Sequence, residues 1–180
     1  MPWSSFENTM GNLMKNHSYG KDMDGWAKQF TNNYHMAMLS GGDLISGIKV
    51  LKGNTTGMEN VLKGKLKSVQ PSTTTTLLDV IGPAIIMYWT GATMQLFPAP
   101  KIPAPGALKN LVTTQGLVTN PGSWTPLSVK PNTDSKIFIK AFVSAAKLHL
   151  LTVSGQFIVT AIYPPNTPGP GVVPWVGYKV

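Results

Sequence analysis

The sequence predicts a mainly α fold with extended Pro/Gly-rich arms, its helical core admitting minor β structure in the C-terminal half. Three observations carry this. Apolar residues recur at helical spacing before residue 97 and again after residue 134. Between and after those stretches run segments dense in proline and glycine, 15 Pro and 18 Gly in 180 residues, roughly half as much again as usual. Hydrophobic residues make up 42% and charged residues only 12%, which describes a core to be buried and not a disordered tail. A chain of this length buries such a core as one domain. Within it we distinguish a helical core region, 1–97, and a Pro-rich strut with an irregular segment, 98–133. A second apolar block, 134–163, packs on the core, and an extended C-terminal arm, 164–180, follows it.

The first helix is expected over 5–16, where Phe6, Met10, Leu13 and Met14 share a face and Ser4 or Ser5 serves as cap. A stronger one spans 23–39, capped by Asp22 or Asp24, with Trp26, Phe30, Tyr34, Ala37 and Met38 turned inward and Gly41-Gly42 as its stop. Asp43 can cap a short turn over Leu44 to Leu51. Thr56-Gly57-Met58-Glu59 has the spacing of a capping box, in which the first hydroxyl and the fourth carboxylate satisfy free amides reciprocally. It opens a helix to about Val69 that buries Met58, Val61, Leu62, Leu66 and Val69.

The most apolar stretch, Leu77 to Phe97, reads as a buried helix, with Pro83 near its first turn or at a kink; a strand over Ile85–Trp89 stays open. Pro98, Pro100, Pro103 and Pro105 then make a stiff extended strut. Ile137, Phe138, Ala141, Phe142, Ala145 and Leu148 form the stripe of a helix that the pattern extends to Tyr163. Ile158, Val159, Thr160 and Ile162 favour a strand locally. The rhythm of apolar block, aromatic and proline run in 77–106 returns in 137–171.

Composition removes whole classes of chemistry. There is no cysteine, hence no disulfide, thiol nucleophile or Cys-ligated metal. His17, His35 and His149 stand at no metal-ligand spacing. The close carboxylate pair Asp22/Asp24 suits a helix start better than glycosidase chemistry. Ser46-Gly47 and Ser154-Gly155 do not complete a nucleophile elbow, and Gly64-Lys65-Leu66 fails the phosphate-loop pattern. The reading is therefore non-enzymatic, with no cofactor and no metal.

Net charge is +8 and every basic residue is Lys. The lack of Arg argues against sequence-specific reading of bases, while the positive balance permits nucleic acid as a partner without sequence preference. Lys63 and Lys67, four apart on one helix, are the candidate basic face. The stretch 77–97 is long enough to cross a bilayer, but Asp79, Pro83 and Thr- and Pro-rich flanks favour a core helix, so a membrane partner is not expected. The first residues carry no basic and apolar secretory pattern.

The zero-Arg, zero-Cys composition, Phe97-Pro98-Ala99-Pro100 with its strut, and the Pro164–Tyr178 arm resemble small virion structural proteins of tailed phages, of the neck, tail-completion or capsid-associated kind. The resemblance implies a particle component that self-associates and meets other structural proteins of the same particle. In that setting Pro98, Pro100, Pro103, Pro105, Trp175 and Tyr178 are the candidate subunit contacts, and location is the virion, or the cytoplasm if the chain is not viral. The two alternatives are a basic nucleic-acid-binding protein and a membrane-associated protein using 77–97.

Overall fold

The computed structural model describes residues 2–16, 23–43, 49–68, 76–90, 92–95, 105–109, 135–152, 154–159 and 172–180. Helices dominate this part, and its strands are short. Among the described residues there are five helices: α1 (Pro2–Asn16), α2 (Met23–Leu39), α3 (Thr55–Ser68), α4 (Thr76–Trp89) and α5 (Ser135–Thr152). The strands are β1 (Gly42–Asp43), β2 (Lys49–Lys52), β3 (Thr93–Gln95), β4 (Pro105–Lys109), β5 (Ser154–Val159), β6 (Val172–Val176) and β7 (Tyr178–Lys179).

The helix α1 starts at Pro2, earlier than the spacing predicts. Proline suits that first position because its missing amide needs no partner there. Ser4 and Ser5 therefore lie inside the helix, on its exposed side, and do not cap it. Trp3, Phe6 and Met10 are buried against α2, where Ala27, Phe30, Tyr34, Ala37 and Met38 are buried in turn. The bounds of α2 are those expected from sequence. Its last turn closes through Ser40 and Gly41 amides donating to Ala37 and Met38 carbonyls.

The β structure corrects two sequence readings and resolves a third that the sequence leaves open. Lys49–Lys52 is a strand and not the end of a helical turn from Asp43: Val50 is buried between exposed Lys49 and Leu51, and β2 pairs with β3 across a bulge. The apolar stretch after Leu77 is helical only to Trp89, beyond which Thr93–Gln95 is strand. Ile85–Trp89 is thus helix. The C-terminal block is helix to Thr152 and then strand, because Ser154–Val159 pairs with β4 on one side and β6 on the other. Two ladders together with β-branched Ile158 and Val159 outweigh helical periodicity there.

The five strands β2-β3-β4-β5-β6 form one antiparallel sheet in that order, and β1 pairs with β7 in a separate two-stranded ladder. Proline falls where a sheet tolerates it. Pro105 is the first residue of β4, opposite Gln95, and Pro174 lies in the edge strand β6, opposite Gln156. Pro105 and Gly106 are therefore sheet, not strut; Pro98, Pro100 and Pro103 lie outside the described residues.

The start of α3 also differs from the expected capping box. Asn54 is the cap: its Oδ1 accepts from the Gly57 amide at 2.9 Å and its carbonyl from Met58 at 3.0 Å. Thr56 is one step inside, and Glu59 turns to Lys63 at 2.6 Å. The Asn54 amide donates to Tyr88 O on α4 at 2.9 Å, which fixes the α3–α4 pair. Gly53 is required beside it, since a Cβ there would overlap the Tyr88 ring.

The C-terminal residues are not a free arm. Gly177 turns the chain with φ of 69°, a conformation L side chains rarely adopt. This delivers Tyr178 into the core, where it is 1% exposed. Its hydroxyl donates to Met38 O at 2.7 Å and accepts from the Val50 amide at 3.0 Å. Tyr178→Phe keeps the ring but leaves that carbonyl and amide buried without this partner. We expect a loss of about 1–3 kcal/mol in urea unfolding, against near-neutrality if the hydroxyl bridge contributes nothing.

Candidate functional site

The polar chemistry of the interior lies along one run of aromatic side chains. Tyr34 on α2 meets Tyr88 on α4 edge to face at 5.0 Å, and Tyr88 meets Trp89 at 5.6 Å. Trp89 meets Tyr178 at 5.2 Å. Trp89 Nε1 donates to Tyr34 Oη at 3.2 Å. His35 Nδ1 lies 2.7 Å from Tyr88 Oη, and this histidine is the half-exposed end of the run.

Burial sets the titration of these groups. It pushes the Tyr34 and Tyr88 phenols well above their ordinary value, so both stay protonated. Burial also lowers the His35 pKa, which favours the neutral imidazole. A neutral imidazole can accept the Tyr88 proton at Nδ1, and a charged one can only donate to the phenol oxygen. The arrangement holds protons in place; it is not built to release a phenolate near neutral pH. Among the described residues, no group of three or more His, Asp or Glu is placed to hold a metal ion.

On the surface, the candidate basic face is partly neutralised. Lys63 pairs with Glu59 on its own helix, and that hydrogen bond is the main reason its pKa is raised. Lys67 reaches across to Asp24 on α2, 3.2 Å away. Both positions are on α3 as expected, but each lysine already has a carboxylate. On α5, Lys136, Lys140, Ser144, Lys147, Leu148 and Leu151 are exposed, and the sequence of Ser135–Thr152 contains no Asp or Glu. Leu148 is 55% and Leu151 46% exposed.

The candidate contacts of the C-terminal arm separate. Trp175 is in β6, paired with Gly155, and Tyr178 belongs to the subunit's own core, so the reading of Tyr178 as a contact with a neighbour is corrected. Tyr178 is inside because Gly177 reverses the chain onto β1, which spacing alone does not reveal. Sequence reasoning also missed the His35–Tyr88 pair, whose members are 53 residues apart. On α5 the expected apolar stripe is corrected at Leu148, which is exposed. The inward residues of that helix, Ile139, Phe142, Val143, Ala146 and Leu150, leave two leucines on the opposite side, with the lysines beside the buried face.

No helix among the described residues is long and apolar enough to cross a membrane. The 77–97 span fails because α4 ends at Trp89, where the Ala92 amide closes back on the Trp89 carbonyl.

His35 makes stability depend on pH with a definite sign. Its folded pKa is below the unfolded value of about 6.5. Above that value both states are neutral and pH has no effect through this group. As pH falls below it, the unfolded chain takes up the proton first, and stability declines until the folded pKa is passed. Urea midpoints measured from pH 7.5 down to 5 should fall more steeply for the native chain than for His35→Gln. Parallel profiles would remove His35 from the acid response.

Against this geometry, no protein-family model, no curated protein and no solved structure matches the chain.

Proposed function

We propose that the chain is a non-enzymatic structural subunit of a large homomeric assembly, a capsid, neck or tail component of a virus or phage particle. The observation that carries the self-association is the pair Leu148 and Leu151. They stand three positions apart on the outward side of α5, both about half exposed, on a helix whose other face is already buried. Fully burying a leucine is worth about 1.5–3 kcal/mol, so covering two adjacent ones favours a subunit contact. Met36 on α2 and Leu51 on β2 are further exposed apolar side chains.

The particle assignment draws on the composition and proline-rich segments that resemble tailed-phage structural proteins. Because the last residues pair with β1 of the same chain, we assign to α5 the contact role first given to Tyr178. Light scattering of the purified protein should give a mass that is a multiple of 19.4 kDa. Leu148→Glu with Leu151→Glu should bring it down toward the single chain. A native protein that scatters as one chain at all concentrations would reject the assembly reading.

A further inference from the structure

Tyr88 joins three parts of the fold. Its carbonyl accepts from the Asn54 amide at 2.9 Å, and Asn54 Nδ2 donates to Thr90 O at 3.3 Å. The residue that caps α3 is thus held to the end of α4 at two points. The Tyr88 ring lies against Gly53, where a Cβ would overlap it. Its hydroxyl meets His35 Nδ1 of α2 at 2.7 Å. The tyrosine is fully buried, and among the described residues His35 is the only hydrogen-bond partner of that hydroxyl.

Those partners fix the tautomer. A buried hydroxyl keeps its hydrogen bonded, so Tyr88 donates to Nδ1 and the neutral imidazole carries its own hydrogen on Nε2. The Nδ1 lone pair is then the one place on the ring where a further proton can go. Acid and the Tyr88 hydroxyl compete for it. Once Nδ1 is protonated it can only donate. The two hydrogens then point at each other unless the phenol hydrogen swings away, and a buried phenol hydrogen that swings away has no acceptor. The imidazole is half-exposed, so a proton can arrive from solvent while the phenol stays enclosed.

Among the side chains described, no carboxylate compensates the imidazolium. Tyr88 is the titratable group that α4 turns to it. Gly53 and Asn54 of the β2–α3 junction are uncharged, and Lys52 beside them is exposed and of like sign. On α2, Tyr34 is bonded to Trp89. Asp24, paired with Lys67 of α3, stands about 16 Å away along the α2 axis. From α1, Trp3 packs on Tyr34, and from β7, Tyr178 bonds Met38 O. Burial is what lowers the His35 pKa.

We propose that His35 and Tyr88 form an acid-released latch: a proton taken from solvent at His35 Nδ1 displaces the Tyr88 hydroxyl hydrogen and frees the Gly53–Asn54 junction at the start of α3. The release is local. Asn54 and Thr55 are half-exposed at the border of the core, whereas Phe6, Phe30 and Phe142 pack together without them. The device is separate from Leu148 and Leu151 and does not depend on the assembly reading.

The test is amide hydrogen exchange of the full chain, read by NMR as protection factors, which remove the intrinsic pH dependence of exchange. As His35 takes up its proton, the protection of Asn54 should fall about fivefold or more relative to that of Phe30, the factor expected for leaving one buried hydroxyl unpaired. In His35→Gln an amide carbonyl accepts the Tyr88 hydrogen at every pH, and the ratio should stay flat. Tyr88→Phe keeps the ring on Gly53 and removes the competitor, so the His35 pKa followed by its ring proton shifts should rise above the native value. The ring nitrogen shifts of the native chain at high pH should show Nδ1 unprotonated. The proposal is overturned if Asn54 and Phe30 lose protection in step, because the response is then global. It is equally overturned if His35→Gln keeps the pH dependence of the ratio, if Tyr88→Phe leaves the His35 titration unmoved, or if the neutral ring carries its hydrogen on Nδ1.

Discussion

One hydroxyl group joins the two ends of the chain. Tyr178 Oη spans the Met38 carbonyl, at the C-terminal end of α2, and the Val50 amide, on the edge strand β2. The Val50 amide is an outer amide of a sheet edge, a group that the ladder leaves unpaired, while the Met38 carbonyl, which already accepts from the Gly41 amide, gains a second donor. Buried without a partner, such an amide would cost on the order of 1–3 kcal/mol. A tyrosine arriving from 128 residues beyond Val50 meets both groups at once. That arrival depends on Gly177, whose positive φ turns the chain, and on Gly41, where any side chain would collide with the Tyr178 ring and the Lys179 carbonyl. The position of β7, the closure of α2 and the protection of β2 are therefore one structural event.

Around that bridge the core is held by aromatic contacts more than by polar ones. Phe6, Phe30 and Phe142 bring α1, α2 and α5 to one point, with ring centroids 5.2 to 5.5 Å apart. Tyr34, Tyr88, Trp89 and Tyr178 continue the packing toward the sheet. Edge-to-face geometry adds about 0.5–1.5 kcal/mol per pair beyond buried area. The same burial that makes these phenols good packing groups denies them acid–base chemistry, because a charged phenolate would lose its water.

The helices were legible because period 3.6 writes itself into any helix with one buried face. Met23–Leu39 was readable to its ends, and the inward set Met58, Leu62 and Leu66 was readable within α3. What escaped depended on residues far apart in sequence. β2 is too short to show alternation, and its strand character comes from pairing with Thr93–Gln95 more than 40 residues away. The choice of Asn54 over Thr56 as cap turns on the Asn54 amide also reaching Tyr88 O. Of the candidate site, Lys63 and Lys67 were placed correctly on α3, yet the partnership of Lys67 with Asp24 crosses from α3 to α2 and is invisible in a linear reading. A glycine two positions past Trp175 was the one local sign that the end of the chain folds back.

The echo between 77–106 and 137–171 has a physical counterpart. Among the described residues an apolar helix is followed by two antiparallel strands, α4 by β3 and β4, the latter running to Lys109, and α5 by β5 and, just past residue 171, β6. A helix with a single strand pair leaves two open edges, and an isolated pair is marginal in water. Here β4 pairs with β5, so each unit closes an edge of the other and one five-stranded sheet results. Its outer edges are treated differently. Tyr178 occupies an amide of β2, and Pro174 removes a donor from β6, the usual means of discouraging further strands. With both edges blunted, association by sheet extension is disfavoured, which leaves exposed apolar side chains such as Leu148 and Leu151 of α5 as the alternative route.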